Sequence, residues 1–287
     1  MLGRPPSRFS SEISPSANRA GVLLSLAALS ILALASILRA DPEPGDQPTT
    51  RIALSREAYE ARFYAPPIDT ALRGLVVFGS GDGGWSYWEE RISRHLATRG
   101  FAVAGVDFQA YATQPFSAEI LREDYRRLVT ELRQRHPAAA TLPLLYGGWS
   151  MGAEHAFPAA ADRAARPAGL CGLILVAPGA RARYGLKLSD KLGITPTGDD
   201  TFALRDMAPL CADLRLAAFH GGLDPLDDLE WPKGLDLDHR LWVIPRVLHD
   251  FSNAGEGLRN ALDEALVWLL APPRSPAAAT TQPSTSP

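Results

Sequence analysis

Apolar residues fall along the chain in two alternating patterns. Short runs at residues 75–78, 101–107, 142–146, 170–176, 214–219 and 241–244 are nearly all apolar, as strands buried on both faces are. Residues 58–64 mix Tyr and Phe with charges, which predicts a more exposed edge strand. Between these runs the spacing changes to every third or fourth residue and predicts helices at 88–98, 118–136, 151–165 and 254–270. In the second of these, Leu121, Tyr125, Leu128 and Leu132 share one face that should pack on a sheet. Strands that alternate with helices in this way predict an α/β fold, a mostly parallel central sheet with helices on both faces.

Ahead of this alternation the pattern is different. Arg4, Arg8 and Arg19 precede a charge-free apolar run at 21–38, closed by Arg39, so residues 1–40 read as an N-terminal signal peptide or signal anchor. Cleavage near Ala33 or Ala35 and retention as a single membrane anchor both remain open; with Asp41 and Glu43 following the run, an anchor would leave the N-terminus cytoplasmic and the domain exported. Either outcome predicts a periplasmic protein. Residues 41–50 read as a linker, 51–271 as one folded α/β domain, and 272–287 as a disordered tail rich in Pro, Ala, Ser and Thr.

Composition narrows the partners. A chain of 287 residues suits one large core plus tails, and a net charge of −3 offers no electrostatic footprint for nucleic acid. The cysteines, Cys171 and Cys211, each fall at or just before a predicted parallel strand. In an oxidising compartment such a pair allows a disulfide, and two unpaired core thiols fit as well.

The chemistry concentrates in GGWSMG. Gly148, Ser150 and Gly152 form G-x-S-x-G between a buried strand and a helix opening near Met151. A serine on so sharp a turn has strained dihedrals, and glycines on either side let the backbone fold back. The motif alone arises by chance in roughly one chain in ten of this length, so its context decides. That context is a nucleophile elbow of α/β-hydrolase type, with acid and His candidates later in the required order. Asp224 follows the strand at 214–219 and is the candidate triad acid, with Asp227 and Asp228 in competition; His249 follows the strand at 241–244 and is the candidate base. The other histidines, His95, His136, His155, His220 and His239, lie in helices, in a charged turn or at a strand end, where structural roles are expected. Residues 179–206 form a candidate lid.

FGSGDGGW offers a competing interpretation. Gly79, Gly81 and Gly84 also match G-x-G-x-x-G, and Asp107 stands where a dinucleotide-binding fold places its ribose acid. The apolar leader and the absence of any role for Ser150 and His249 argue against it. In the hydrolase interpretation this loop supplies the second half of the oxyanion hole, an N–H of Gly81 or Asp82 facing that of Met151.

SGDGGW at 80–85, GVD at 105–107, GWSMG at 148–152, LVAPG at 175–179 and HDF at 249–251 together resemble the VirJ family of bacterial virulence proteins and its longer AcvB-type relatives, over roughly residues 70–272. The resemblance implies an exported α/β hydrolase that uses Ser150, His249 and Asp224, with residues 80–84 bordering the site, and that needs neither metal nor organic cofactor. For substrate and partners it implies an ester, with the membrane phospholipid lysyl-phosphatidylglycerol as candidate, whose cationic aminoacyl head group Asp82, Asp227, Asp228 or Glu230 could receive by charge pairing, and type IV secretion proteins. A non-catalytic binding protein on the same fold is the alternative from another class.

Overall fold

The computed structural model describes residues 49–225, 230–251 and 253–272. The leader, the linker up to residue 48, Asp227, Asp228 and the tail from residue 273 lie outside the described residues. The chain divides into two units, Met1–Glu43 and Pro44–Pro287, and every described residue belongs to the second.

Among the described residues ten strands are formed: β1 (Thr49–Ala53), β2 (Ala58–Tyr64), β3 (Gly74–Gly79), β4 (Phe101–Val106), β5 (Leu144–Trp149), β6 (Leu170–Val176), β7 (Arg181–Arg183), β8 (Thr201–Ala203), β9 (Arg215–Gly221) and β10 (His239–Ile244). Eight of them make one sheet in the order β1-β2-β4-β3-β5-β6-β9-β10, antiparallel at β1, β2 and β4 and parallel from β4 onward. β7 and β8 form a separate antiparallel hairpin. The four long helices are α1 (Tyr87–Thr98), α2 (Ala118–Arg135), α3 (Met151–Ala160) and α4 (Gly255–Leu269).

Period-2 alternation sorts the strand side chains into two cores. Leu75, Val77, Leu144, Tyr146, Leu173 and Leu175 face α2 and α3, whereas Val76, Phe78, Leu145, Ile174 and Val176 face α1 and α4. Leu121, Tyr125, Leu128 and Leu132 of α2 are buried in the first core, as their spacing predicts.

Three expectations are corrected, and one left open is decided. Residues 58–64 are not an edge strand, because β1 pairs along their outer side from Thr49 to Ala53, so the domain begins inside the expected linker. The strand expected at 142–146 starts after Pro143 and runs on to Trp149. The helix expected to reach residue 165 stops at Ala160, and Asp162 then caps a short 3-10 turn by accepting from the Ala164 and Ala165 N–H groups. Of the two alternatives open for the cysteines, Cys171 and Cys211 are free thiols. Cys171 packs with the α1/α4 core and Cys211 is buried in the α2/α3 core, so the sheet separates them.

Candidate active site

The C-terminal ends of the parallel strands meet along one rim of the sheet, and backbone strain collects there. Among the described residues four non-glycines have positive φ: Ser150 after β5, Ala177 after β6, Arg246 after β10, and Phe251 two residues past His249. Ser150 is the most unusual, at φ 48° and ψ −115°. Its N–H donates to the Val176 carbonyl at 2.8 Å and its carbonyl accepts from the Glu154 N–H, so sheet and helix hold the turn from both sides.

The glycines explain how the turn fits. A Cβ on Gly148 would lie 2.4 Å from the Gly152 carbonyl carbon and 2.6 Å from the Gly79 oxygen, and a Cβ on Gly152 would lie 2.3 Å from Gly79. The elbow thus presses α3 against the end of β3 backbone to backbone. A similar contact joins two other sequence motifs: the Trp85 ring covers Gly105 of β4, where a Cβ would approach within 2.4 Å.

Ser150, His249 and Asp224 come together at this rim. His249 Nε2 lies 3.3 Å from Ser150 Oγ, and His249 Nδ1 lies 2.7 Å from Asp224 Oδ2. The Asp224 side chain is fully buried, while that of His249 is 31% exposed. A carboxylate only accepts, so the Nδ1 proton donates to Asp224 and Nε2 is left to accept from the Ser150 hydroxyl. A hydroxyl so placed can lose its proton to the imidazole as it attacks a carbonyl. Asp224 follows β9 in a turn closed by its N–H to the Gly221 carbonyl, 3.1 Å.

The remaining histidines are placed elsewhere. His155 is fully buried, its ring nitrogens 2.7 Å from the Met151 oxygen and 2.9 Å from the Arg183 oxygen, and burial pushes its pKa down to about 4. His95 contacts Asp263 at 2.9 Å, and His239 contacts the Leu237 carbonyl. His136 terminates α2, and His220 is buried near the end of β9.

The two halves of the expected oxyanion hole fare differently. Met151 opens α3 beside Ser150, and its N–H has no acceptor among the described residues. Across from it, the Gly81 N–H is already occupied, donating to Glu89 Oε1 at 3.2 Å. Gly81 is therefore corrected as an oxyanion donor, and Asp82, which lines the cleft with Ser150 and His249, remains. Asp107, the candidate ribose acid, caps a one-turn helix through the Ala110 N–H at 3.2 Å.

The cleft over Ser150 has a volume of about 560 Å³, within the range of small-molecule sites. Much of its lining comes from residues 179–206: Gly179 to Arg183, then Gly185, Asp190, Lys191 and residues 193–196. Arg183 ties that segment together, with Asp190 at 3.0 Å and Asp200 at 3.1 Å. Asp82 lies in the cleft, whereas Glu230 is outside it and pairs with Lys233 at 2.6 Å.

Sequence reasoning missed Glu154. It stands four residues after Ser150, hence on the same face of α3, and it lines the cleft. Its Oε1 accepts from the Gly179 N–H at 2.9 Å. Burial pushes its pKa up to about 7 against the pull of that hydrogen bond and of His249. Asp82 is also raised by burial, with His249 and Lys191 acting in the opposite direction.

Comparison with solved structures identifies the architecture. The chain is similar to a serine hydrolase without lid from Xanthomonas campestris, with 20% identity, TM-score 0.56, and coverage of 80% of this chain and 98% of that one. It is also similar to Est1E from Butyrivibrio proteoclasticus, with 15% identity, TM-score 0.59, and coverage of 78% and 100%. A thermostable carboxyl esterase from Bacillus coagulans matches at 15% identity and TM-score 0.56, with coverage of 78% and 98%. The fold is that of the α/β hydrolases. Comparison with curated proteins gives no match. Residues 73–220 match a family described as bacterial virulence protein (VirJ).

Proposed function

The chain belongs to the VirJ family of bacterial virulence proteins, and from that premise we propose that it is a serine hydrolase cleaving a carboxylic ester through an acyl-serine intermediate. The observation that carries the proposal is the relay from Asp224 through His249 to Ser150, at 2.7 and 3.3 Å, on a strained elbow. The longer Ser–His distance is ordinary for a site without substrate.

In this mechanism Ser150 Oγ attacks the ester carbonyl as its proton passes to His249 Nε2. The carbonyl oxygen takes the negative charge, and the N–H groups of Met151 and Asp82 stabilise it. Collapse breaks the bond to the alcohol oxygen, which receives the proton from His249. Water then repeats the sequence on the acyl-serine: His249 takes its proton, the acid departs, and the proton returns to Ser150.

Within this proposal the substrate is an aminoacyl ester of a membrane phospholipid, lysyl-phosphatidylglycerol, met on the periplasmic side of the membrane by an exported protein. The size of the cleft supports a substrate of this kind, and Asp82 and Glu154 are the lining carboxyl groups that would meet a cationic acyl group, in a lining that also carries Arg181, Arg183 and Lys191. Secretion-system proteins are the partners that family membership suggests. Among the described residues no helix is long and apolar enough to cross a membrane.

The test is one experiment on purified protein with two readouts: labelling by a fluorophosphonate, and release of lysine from vesicles containing lysyl-phosphatidylglycerol. Labelling that disappears in Ser150→Ala supports the serine hydrolase, and lysine release lost in the same variant supports the lipid. Folded wild type that resists the probe would defeat the enzyme and favour a hydrolase-fold binding protein. Labelling without lysine release would remove the lipid alone.

A further inference from the structure

Beneath the loop that faces Ser150 lies a buried carboxylate that the triad does not use. Glu89, in the first turn of α1, is 3% exposed. Its Oε1 accepts from the Gly81 N–H at 3.2 Å; its Oε2 accepts from the Ser86 N–H at 2.9 Å and from the Ser86 hydroxyl. Ser86 and Glu89 form a capping box, S-x-x-E, which accounts for the contacts to Ser86. Capping does not account for the bond to Gly81, eight residues back. Nor does it account for the burial, since an exposed Glu caps equally well. Among the described residues Glu89 has no cationic partner, and burial holds its pKa above the ordinary carboxylate range against the hydrogen bonds from Ser86 and Gly81.

The next peptide along the loop is fixed from the other side. Ser80 is fully buried; its hydroxyl accepts from the Phe108 N–H at 2.9 Å and donates to the Gly81 carbonyl at 3.0 Å. The Gly84 N–H donates to the same carbonyl at 3.1 Å. In a planar trans peptide the N–H points opposite to the C=O, so fixing the Gly81 carbonyl also aims the Asp82 N–H. Glu89 holds the Ser80–Gly81 peptide and Ser80 holds the Gly81–Asp82 peptide. Two adjacent peptide planes are thereby set against rigid supports.

We propose that Glu89 is a positioning residue for the oxyanion loop: by occupying the Gly81 N–H it fixes the loop so that the Asp82 N–H is the donor presented opposite Met151. The proposal rests on the hydrolase function above. Glu89 touches no reacting atom and acts through the backbone, so its removal changes the transition state more than substrate binding.

The test compares wild type, Glu89→Ala, Glu89→Gln and Ser86→Ala in the full chain, with p-nitrophenyl acetate as substrate and with thermal unfolding and circular dichroism to establish folding. Glu89→Ala should lower kcat roughly 10- to 100-fold with KM within about threefold of wild type, less than the roughly 100- to 1,000-fold lost when an oxyanion donor is removed outright, because the loop loses its support and keeps the donor. Glu89→Gln keeps an oxygen for the Gly81 N–H and should recover most of that kcat. Where Glu89→Ala does not fold, Ser86→Ala decides, because it removes one support of Oε2 and leaves the carboxylate. It should lower kcat several-fold with a native-like spectrum. A folded Glu89→Ala with wild-type kcat, a rise in KM at constant kcat, or wild-type kcat in Ser86→Ala when only that variant folds would each overturn the positioning role. An inert wild type would instead overturn the hydrolase function on which it rests.

Discussion

Replacing Ser150 by Gly should stabilise the protein while abolishing its chemistry. Ser150 is a non-glycine held at φ 48° and ψ −115°. Such a conformation costs on the order of 1–3 kcal/mol. Glycine adopts it freely but loses about 0.4–1 kcal/mol through the greater entropy of the unfolded chain. Removing a half-buried Cβ subtracts a few tenths more. The comparison that isolates strain is Ser150→Gly against Ser150→Ala, since both lack the nucleophile and Ala keeps the Cβ. Taking mid-range values, Gly should exceed Ala by about 1 kcal/mol, within a span that runs from about zero to about 2 kcal/mol. At about 2–4 °C per kcal/mol for a domain of this size, the central value is a Tm difference of about 2–4 °C. Differential scanning calorimetry of the two variants measures it. The sign is diagnostic, because at an ordinary backbone position Gly is the less stable of the two. A Ser150→Gly variant that melts below Ser150→Ala by the roughly 0.4–1 kcal/mol or more of an ordinary position would refute the claim that the elbow stores strain.

Two further predictions concern groups near the rim and in the two cores. Burial raises Glu154 to about 7, so the folded protein binds this proton more tightly than the unfolded chain, and stability should fall as pH rises from the ordinary carboxylate range through 7. The effect is at most about 3 kcal/mol; Glu154→Gln should flatten the fall in Tm between pH 5 and pH 8, and an unchanged slope would show that Glu154 does not titrate there. Cys171 and Cys211 both have their pKa raised by burial, Cys211 to about 11. Thiol titration without reductant should therefore be slow in native protein and reach two thiols once it is denatured, whereas none would restore the disulfide.

The parallel strands were legible because each is a continuous apolar run with turn residues at its ends, and a strand buried on both faces can hardly have another pattern. The outer strand β1, TTRIA, escaped notice because it is exposed or half-exposed along its whole length and carries no burial signature. The hairpin β7/β8 was also hidden: strands of three residues are too short to show a period. Around the elbow the sequence carried more, since Ser150, His249 and Asp224 each follow a recognisable strand and strand order brings their loops to one rim. Two signals were present but went unused. Glu154 repeats the helical position of Ser150 one turn later, and Ser86 with Glu89 spells a capping box. Whether Cys171 and Cys211 pair could not be read from the sequence for a different reason: position near a strand says nothing of which face of the sheet a thiol occupies, and these two lie on opposite faces.

The contact of Gly79, Gly148 and Gly152 limits how this protein can be altered. Exchanging glycine for alanine is a common way to make a fold more robust, yet any methyl added to Gly148 or Gly152 meets main chain that has no rotamer to turn aside. Directed evolution toward heat tolerance should accordingly leave this corner untouched and collect its gains at the periphery. Designers who graft a different serine chemistry onto the scaffold must keep all three positions bare.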